Sequence, residues 1–142
     1  MRRVIAIDLG TKRMGVAVTD ALRIAALPHA TLERKGGKHD MDAIADVVRE
    51  LDAERVVLGL PLSPDGEEGR AAKSAQAFAE RLRAALSVPV ELVDESFSTV
   101  EAEDVLLAAD LSRARRREVV DRVAAAVILR RWLDAHPARG HR

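Results

Sequence analysis

Residues 3–20 contain two short apolar runs joined by a polar turn, and this pattern restricts how the chain can begin to fold. The first run, residues 4–7, ends on a carboxylate at Asp8. A turn that contains Gly10 follows, and apolar residues then alternate with small ones over residues 14–19. Two β-rich runs around a turn with glycine predict a β-hairpin. We therefore expect the chain to begin with two antiparallel strands.

The carboxylate of Asp8 is unusual because it ends a run of apolar residues that is predicted to be buried. A buried carboxylate loses its solvation unless a metal, a cation or several hydrogen-bond donors meet it. The alternative is an acid that caps the turn through backbone N–H groups. This stretch leaves both interpretations open.

After the hairpin, a third strand is predicted at residues 24–32, where Pro28 suits an edge strand or a bulge. Asp40 is predicted to N-cap the first helix. The continuous apolar run at residues 55–60 is typical of a strand that is covered on both faces. A second helix is predicted after it.

The last third of the chain is predicted to contain one short strand and two helices. The strand covers residues 90–93, and Ser98 with Glu101 forms a capping box for the helix that follows. After an arginine-rich connector, a last helix is predicted over residues 117–135. This order predicts an α/β fold, a five-stranded mixed sheet with helices on both faces.

Length and composition predict a single domain over residues 1–142. The chain has no cysteine, which excludes disulfides and thiolate metal sites. No apolar run approaches the roughly 20 residues that span a bilayer, so we expect a cytoplasmic protein with no membrane partner. The formal net charge is zero, yet residues 113–142 hold nine arginines against three acids. This C-terminal basic surface favours an anionic partner.

Acidic residues follow two of the three strands that are predicted to be parallel. Asp8 ends the first strand, and Asp94 and Glu95 end the last one. Because ligands bind at the carboxyl ends of strands in open α/β sheets, we expect these acids to be neighbours.

Asp121 supplies a third acid from the last predicted helix. It shares a helical stripe with Ala124, Ala125, Ile128 and Trp132, so it lies on the packing face. One interpretation is an acid near the helix N-terminus, favoured by the helix dipole and paired with an arginine from residues 115–117. The other is an acid that faces the site at the strand ends.

Three converging carboxylates cannot all stay ionised without a cation, so either the pKa of one of them rises or a metal binds. The set contains no histidine, and all-oxygen ligands favour Mg²⁺ or Mn²⁺ over zinc. Such cations on shared carboxylates suit phosphoryl chemistry, in which one metal activates water and a second stabilises the leaving oxygen.

The chain resembles the YqgF (RuvX) family of ribonuclease H-like proteins, known as Holliday-junction resolvases or pre-16S rRNA nucleases. The resemblance covers nearly the whole chain and implies a ribonuclease H-like fold. It also implies that Asp8, Glu95 and Asp121 are the catalytic, metal-binding acids, although Asp94 remains an alternative ligand. It is carried by four ordered blocks: residues 6–12 with 15–18, residues 59–62 with Asp65 and Gly66, Asp94 and Glu95 with residues 98–102, and Asp121 with Ala124, Ala125, Ile128 and Leu129.

One departure from the family concerns substrate contacts, because Ser96 stands where the family usually has an arginine. If that arginine contacts phosphate, the contact is lost here or has moved to residues 115–117. Each candidate nucleic-acid contact also has a simpler interpretation, namely closing the hairpin, capping a helix or forming a solvated face. The candidates are Thr11, Lys12, Ser98, Thr99, Arg113, Arg115, Arg116 and Arg117.

The predicted function is a metal-dependent nuclease, most simply one that processes pre-16S rRNA. Symmetric cleavage of junction DNA is the alternative; it needs two active sites and hence a dimer, and no dimer face is visible in the sequence. We therefore expect a monomer or weak homodimer whose partner is structured RNA or branched DNA. A non-catalytic nucleic-acid binder on the same fold is a further alternative. An ATP-using kinase is disfavoured because it needs two such domains.

Overall fold

The computed structural model describes residues 2–10, 12–60, 69–94 and 112–136. In the described residues a five-stranded sheet is flanked by three helices. The elements are β1 (Arg3–Leu9), β2 (Arg13–Thr19), β3 (Ala26–Glu33), α1 (Gly37–Glu50), β4 (Ala53–Leu60), α2 (Arg70–Ala85), β5 (Val90–Asp94) and α3 (Arg113–Ala135).

The strands lie in the order β3-β2-β1-β4-β5. Strands β1, β4 and β5 are parallel, and β2 is antiparallel to both β1 and β3. The predicted five-stranded mixed sheet and its opening hairpin are therefore confirmed. Since β1 lies at the centre, its backbone is hydrogen-bonded on both sides.

Side chains alternate between the two faces of the sheet, as the period of a strand requires. Ile5 and Ile7 of β1 face one way and belong to a core shared with α1 and α2. Val4 and Ala6 face the other way and belong to a second core with the buried stripe of α3. The helices therefore cover both faces of the sheet, as predicted.

The third strand carries Pro28 at the edge of the sheet. Its pairing with β2 shifts register, because Val16 pairs with Ala30 while Ala17 pairs with Pro28. One residue of β3 is thus left over, as in a β-bulge. The prediction of an edge strand or bulge at this proline is confirmed.

The predicted N-cap at Asp40 is wrong. The helix begins at Gly37, with Gly36 as N-cap, and both glycines have positive φ. Asp40 instead lies buried in the first turn, where its carboxylate accepts hydrogen bonds from the N–H groups of Lys35 (2.9 Å) and Gly36 (3.1 Å). Burial alone would raise the pKa of Asp40, but these bonds together with His39 and the positive charge of Arg34 outweigh it and hold the pKa below its ordinary value.

The predicted connector before the last helix is also wrong, because α3 begins at Arg113. Ser112 caps it: the Ser112 hydroxyl accepts a hydrogen bond from the N–H of Arg115. A serine cap followed by arginines, which are good helix formers, extends the helix by more than a turn beyond the apolar stripe. The predicted helix that begins at Ser98 lies outside the described residues. No helix in the described ranges is long and apolar enough to cross a membrane.

Candidate active site

Asp8 lies near the end of the central strand β1, and only 9% of its surface is exposed. It follows Val4 and Ala6 at two-residue intervals, so its side chain is on the face that α3 covers. In the hairpin, Asp8 is paired with Gly15 of β2. A carboxylate at this position is fixed by its pairing with β2 and by the preceding residues of β1, which are paired on both sides.

Gly15 is the place where α3 crosses the hairpin. A Cβ atom added to Gly15 would lie 1.9 Å from the backbone oxygen of Asp121 and 2.8 Å from the backbone nitrogen of Arg122. Only glycine permits so close an approach of helix and strand. Because Gly15 is also the partner of Asp8, the structure brings Asp8 and Asp121 to the same place on the sheet.

Arg13 is the described ion-pair partner of Asp121. Its Nε donates to Oδ2 of Asp121 at 2.9 Å, with 51% of the Arg13 side chain and 20% of the Asp121 side chain exposed. The interpretation that an arginine from residues 115–117 pairs with Asp121 stays a prediction, since the side chains of Arg116 and Arg117 lie outside the described residues. Sequence reasoning missed Arg13, although it stands two residues before Gly15 and so on the same face of β2.

Asp121 is eight residues beyond the first residue of α3. The field of a helix dipole acts within about the first turn, so it does not account for this acid. The interpretation of Asp121 as an acid near the helix N-terminus is therefore wrong. The prediction that it lies on the packing face is confirmed, because Ala124, Ala125, Ile128 and Trp132 of the same stripe are buried.

Arg34 holds the turn between β1 and β2, a role that the sequence did not reveal. Its guanidinium donates to the carbonyl of Gly10 at 2.9 Å, and its backbone N–H donates to the carbonyl of Lys12 at 2.9 Å. The guanidinium also lies 3.6 Å from Asp40 and 5.5 Å from the centre of the Phe78 ring. The turn beside Asp8 is thereby anchored to both α1 and α2.

The remaining predicted site residues divide into two groups. Lys12 and Arg115 are exposed, and Asp94 ends β5 opposite Leu60. The second group lies outside the described residues and consists of Thr11, Asp65, Gly66, Glu95, Ser96, Ser98, Thr99 and Glu101. The side chains of Arg113, Arg116 and Arg117 also lie outside them.

Two of the described carboxylates could take part in metal binding. Within the described ranges no three His, Cys, Asp or Glu residues form a group that could hold a metal ion. Asp8 and Asp121 supply two carboxylates on one face of the sheet, and carboxylate oxygens are the donors that Mg²⁺ and Mn²⁺ prefer. A site with three carboxylates would take its third acid from outside these ranges.

A groove of about 620 Å³ runs between β3 and α3, away from these acids. Its lining is mainly apolar, with Ile24, Pro28, Val123 and Val127 among its residues, and includes none of the predicted site residues. The candidate site is therefore defined by the acids at the strand ends and not by this groove.

Comparison with known proteins gives matches along nearly the whole chain. The family model RuvX, described as Holliday junction resolvase, matches residues 2–135. A protein of Myxococcus xanthus (strain DK1622) is 52% identical over 134 residues, which cover 94% of this chain and 89% of that protein. One from Syntrophomonas wolfei is 45% identical over 132 residues, which cover 93% and 94%. Both carry the provisional name pre-16S rRNA nuclease.

Solved structures with the same fold include two resolvases. Thermus thermophilus RuvC in complex with a Holliday junction substrate superposes with a TM-score of 0.61 at 17% identity, over 97% of this chain and 98% of that one. The fowlpox virus Holliday junction resolvase has a TM-score of 0.58 at 11% identity, over 94% and 98%. At these identities the likeness shows the fold, which is ribonuclease H-like as predicted.

Proposed function

Because the chain belongs to the RuvX family, we propose that it is a metal-dependent nuclease that hydrolyses phosphodiester bonds in pre-16S rRNA. The observation that carries the proposal is the crossing at Gly15. There the helix backbone at Asp121 lies against Gly15, the strand partner of the buried acid Asp8. The names of the similar bacterial proteins support the choice of pre-16S rRNA as substrate.

We assign the catalytic and metal-binding roles to Asp8, Glu95 and Asp121. Glu95 is included because it directly follows β5, in which Glu91 and Val93 face α3, the side on which Asp8 and Asp121 meet. A set of three carboxylates without histidine fits Mg²⁺ or Mn²⁺. When bound, such an ion would activate a water molecule and stabilise the leaving oxygen of an in-line displacement.

The chain's own residues would orient this site and hold the substrate. Asp8 is held by the central strand, and Arg13 pairs with the carboxylate of Asp121 when no cation is bound. Exposed Lys12 and Arg115 are suited to backbone phosphates, which are bound through charge without regard to sequence. We extend this proposed role to Thr11, Ser98, Thr99, Arg113, Arg116 and Arg117.

Four-way junction DNA is the second candidate substrate, because the description of the matching family model names it. Symmetric cleavage of a junction needs two active sites related by a twofold axis. A monomer is sufficient for cleavage of one RNA strand. We therefore propose a monomer or a weak homodimer as the working form, and pre-16S rRNA as the first substrate to test.

The proposal predicts that Asp8→Asn abolishes hydrolysis while the fold is retained. We expect a loss of about 1,000-fold or more, about 4 kcal/mol in activation free energy, because the variant removes a metal-binding charge. The measurement is cleavage of structured pre-16S rRNA and of junction DNA with Mn²⁺ or Mg²⁺. Asp134→Asn, an exposed acid on α3, is the matched control and should cleave like the wild type.

The two substrates distinguish the candidate functions. Cleavage of junction DNA alone would favour the resolvase. Cleavage of neither substrate by the wild type, with nucleic-acid binding intact, would favour the non-catalytic binder. Equal cleavage by wild type and Asp8→Asn would contradict the role of Asp8.

A further inference from the structure

Arg13 has a fixed backbone and an exposed side chain. Its carbonyl accepts a hydrogen bond from the N–H of Gly10 at 2.9 Å, which closes the turn. Half of its side-chain surface is exposed, and its Nε reaches Oδ2 of Asp121 on α3. The side chain is therefore able to move without disturbing the strand that carries it.

Asp121 needs a positive partner because its carboxylate is mostly buried and lies beside the residue that pairs with Asp8. A carboxylate that loses its solvation is destabilised unless a positive charge or hydrogen-bond donors compensate. Arg13 supplies a compensating charge from within the chain. It does so through one of the five N–H donors that a guanidinium carries.

We propose that Arg13 is a counter-ion that Asp121 exchanges for a divalent cation, after which the guanidinium binds a backbone phosphate of the substrate. This inference rests on the proposed function, since it requires a cation at Asp121 and a nucleic acid. It adds a positioning residue that links the two binding events.

Charge is the reason for the exchange. A divalent cation and a guanidinium on the same carboxylate repel each other, so the more mobile of the two is displaced. The exposed guanidinium is free to rotate on its flexible stem, and its planar fork matches the oxygens of a phosphate. If Arg13 instead only held Asp121 in place for the metal, its removal would weaken metal binding. The two roles thus predict effects of opposite sign.

The first measurement is calorimetric titration of Mn²⁺ into the full chain without nucleic acid. We expect Arg13→Gln to bind Mn²⁺ about 3- to 10-fold more tightly than the wild type, because a nearby positive charge has been removed. Arg13→Lys retains the charge and should remain within about twofold of the wild type. Arg130→Gln is the matched control: Arg130 has 48% side-chain exposure and pairs with Asp134 at 3.1 Å, and its loss should leave Mn²⁺ affinity unchanged.

The second measurement is the affinity for a structured RNA in Ca²⁺ and in a chelator, with the RNA checked for integrity afterwards. We expect Arg13→Gln to weaken binding about 10-fold in Ca²⁺ and about twofold or less in the chelator, because Arg13 is released only when the cation binds. Equal weakening under both conditions would overturn the phosphate half of the exchange.

The outcomes separate this inference from the function on which it rests. If the wild type binds Mn²⁺ and folded Arg13→Gln binds it equally or less tightly, the exchange is overturned and the nuclease proposal stands. If the wild type binds no Mn²⁺, the proposed metal site fails and the exchange fails with it. Should Arg13→Gln not fold, Arg13→Lys is tested alone: we expect RNA binding in Ca²⁺ about threefold weaker, since lysine lacks the fork, and unchanged binding would overturn the inference.

Discussion

The two ends of the sheet use charged side chains in different ways. At the end where β4 and β5 begin, both carboxylate oxygens of Glu91 are bound, one by Arg55 at 2.8 Å and the other by the indole N–H of Trp132. At the end where β1 finishes, the acids are Asp8, which is buried, and Asp121, whose Oδ2 accepts from Arg13. At the first end, the acid is bonded to Arg55 and Trp132 of the same chain. At the second end, the acids lie beside exposed basic residues.

This difference separates a structural use of charge from a functional one. Glu91 joins β5 to β4 and to α3, and the ring of Trp132 stacks on His136 with 4.4 Å between ring centres. A carboxylate with partners at both oxygens has little reason to bind a ligand. Asp8 and Asp121 lie at a backbone crossing that tolerates no side chain at Gly15, which is a demanding way to position two acids. Variants where β1 finishes should therefore lose Mn²⁺ binding as well as stability, whereas variants where β4 and β5 begin should lose stability alone.

The largest effect is expected for Gly15→Ala, which should damage stability and the site together. Its Cβ would lie 1.9 Å from a backbone oxygen of α3, so helix and strand have to separate. We expect a loss of about 3 kcal/mol in the free energy of unfolding, measured by urea denaturation, because overpacking against backbone cannot be relieved by a rotamer change. Mn²⁺ binding should weaken as well, since Asp121 moves with the helix.

Gly69→Ala is the matched control for this variant, because nothing lies within 4 Å of a Cβ added at Gly69. Gly69 is the N-cap of α2, so its replacement should cost about 1 kcal/mol or less. Equal destabilisation by the two alanines would contradict the close crossing of α3 over β2. It would also remove the contrast between the two ends of the sheet.

A smaller effect is expected for Glu91→Ala, which should reduce stability and leave the site unaffected. The variant leaves Arg55 and the indole N–H of Trp132 without their acceptor. We expect a loss of about 1–2 kcal/mol, at the lower end because the Arg55–Glu91 pair is partly exposed. Cleavage per folded molecule and Mn²⁺ affinity should match the wild type. A fall in Mn²⁺ affinity would mean that the two ends are not independent.

The sequence predicted most of the fold because strand alternation and helical stripes are local signals. Asp8 was correctly predicted near the end of the first strand, because it ends an apolar run. Asp121 was correctly predicted on the packing face of the last helix, because it shares a stripe with Trp132. The start of α3 was predicted four residues late, since arginines carry no apolar period and Ser112 was not recognised as a cap.

The partners of the site could not be predicted from spacing alone. Arg13 meets Asp121 across 108 positions of sequence, and Arg34 supports the turn at Gly10 across 24. The first contact depends on how closely α3 approaches β2, which Gly15 determines. The second depends on the pairing of β3 with β2, which brings Arg34 beside the turn. A glycine inside a strand was the available signal, because it marks a close approach of another backbone.

The smallest effect concerns the basic start of α3, and it extends the comparison to the substrate. Arg115 and Arg130 are both exposed on α3, but they are about 22 Å apart along its axis at 1.5 Å per residue. Arg130 pairs with Asp134 and also donates to the carbonyl of Ile24. Arg115 precedes Asp121 by six residues, about 1.7 turns or 9 Å along the axis, so a nucleic-acid backbone held there would run towards the acids. We expect Arg115→Ala to lower the slope of log affinity against log salt concentration by about 0.7–0.9, because one phosphate contact is lost.

The effect should be alike for RNAs of different sequence, and Arg130→Ala should leave the slope unchanged. The same change in slope for both variants would mean that the basic residues of α3 act only through their overall charge.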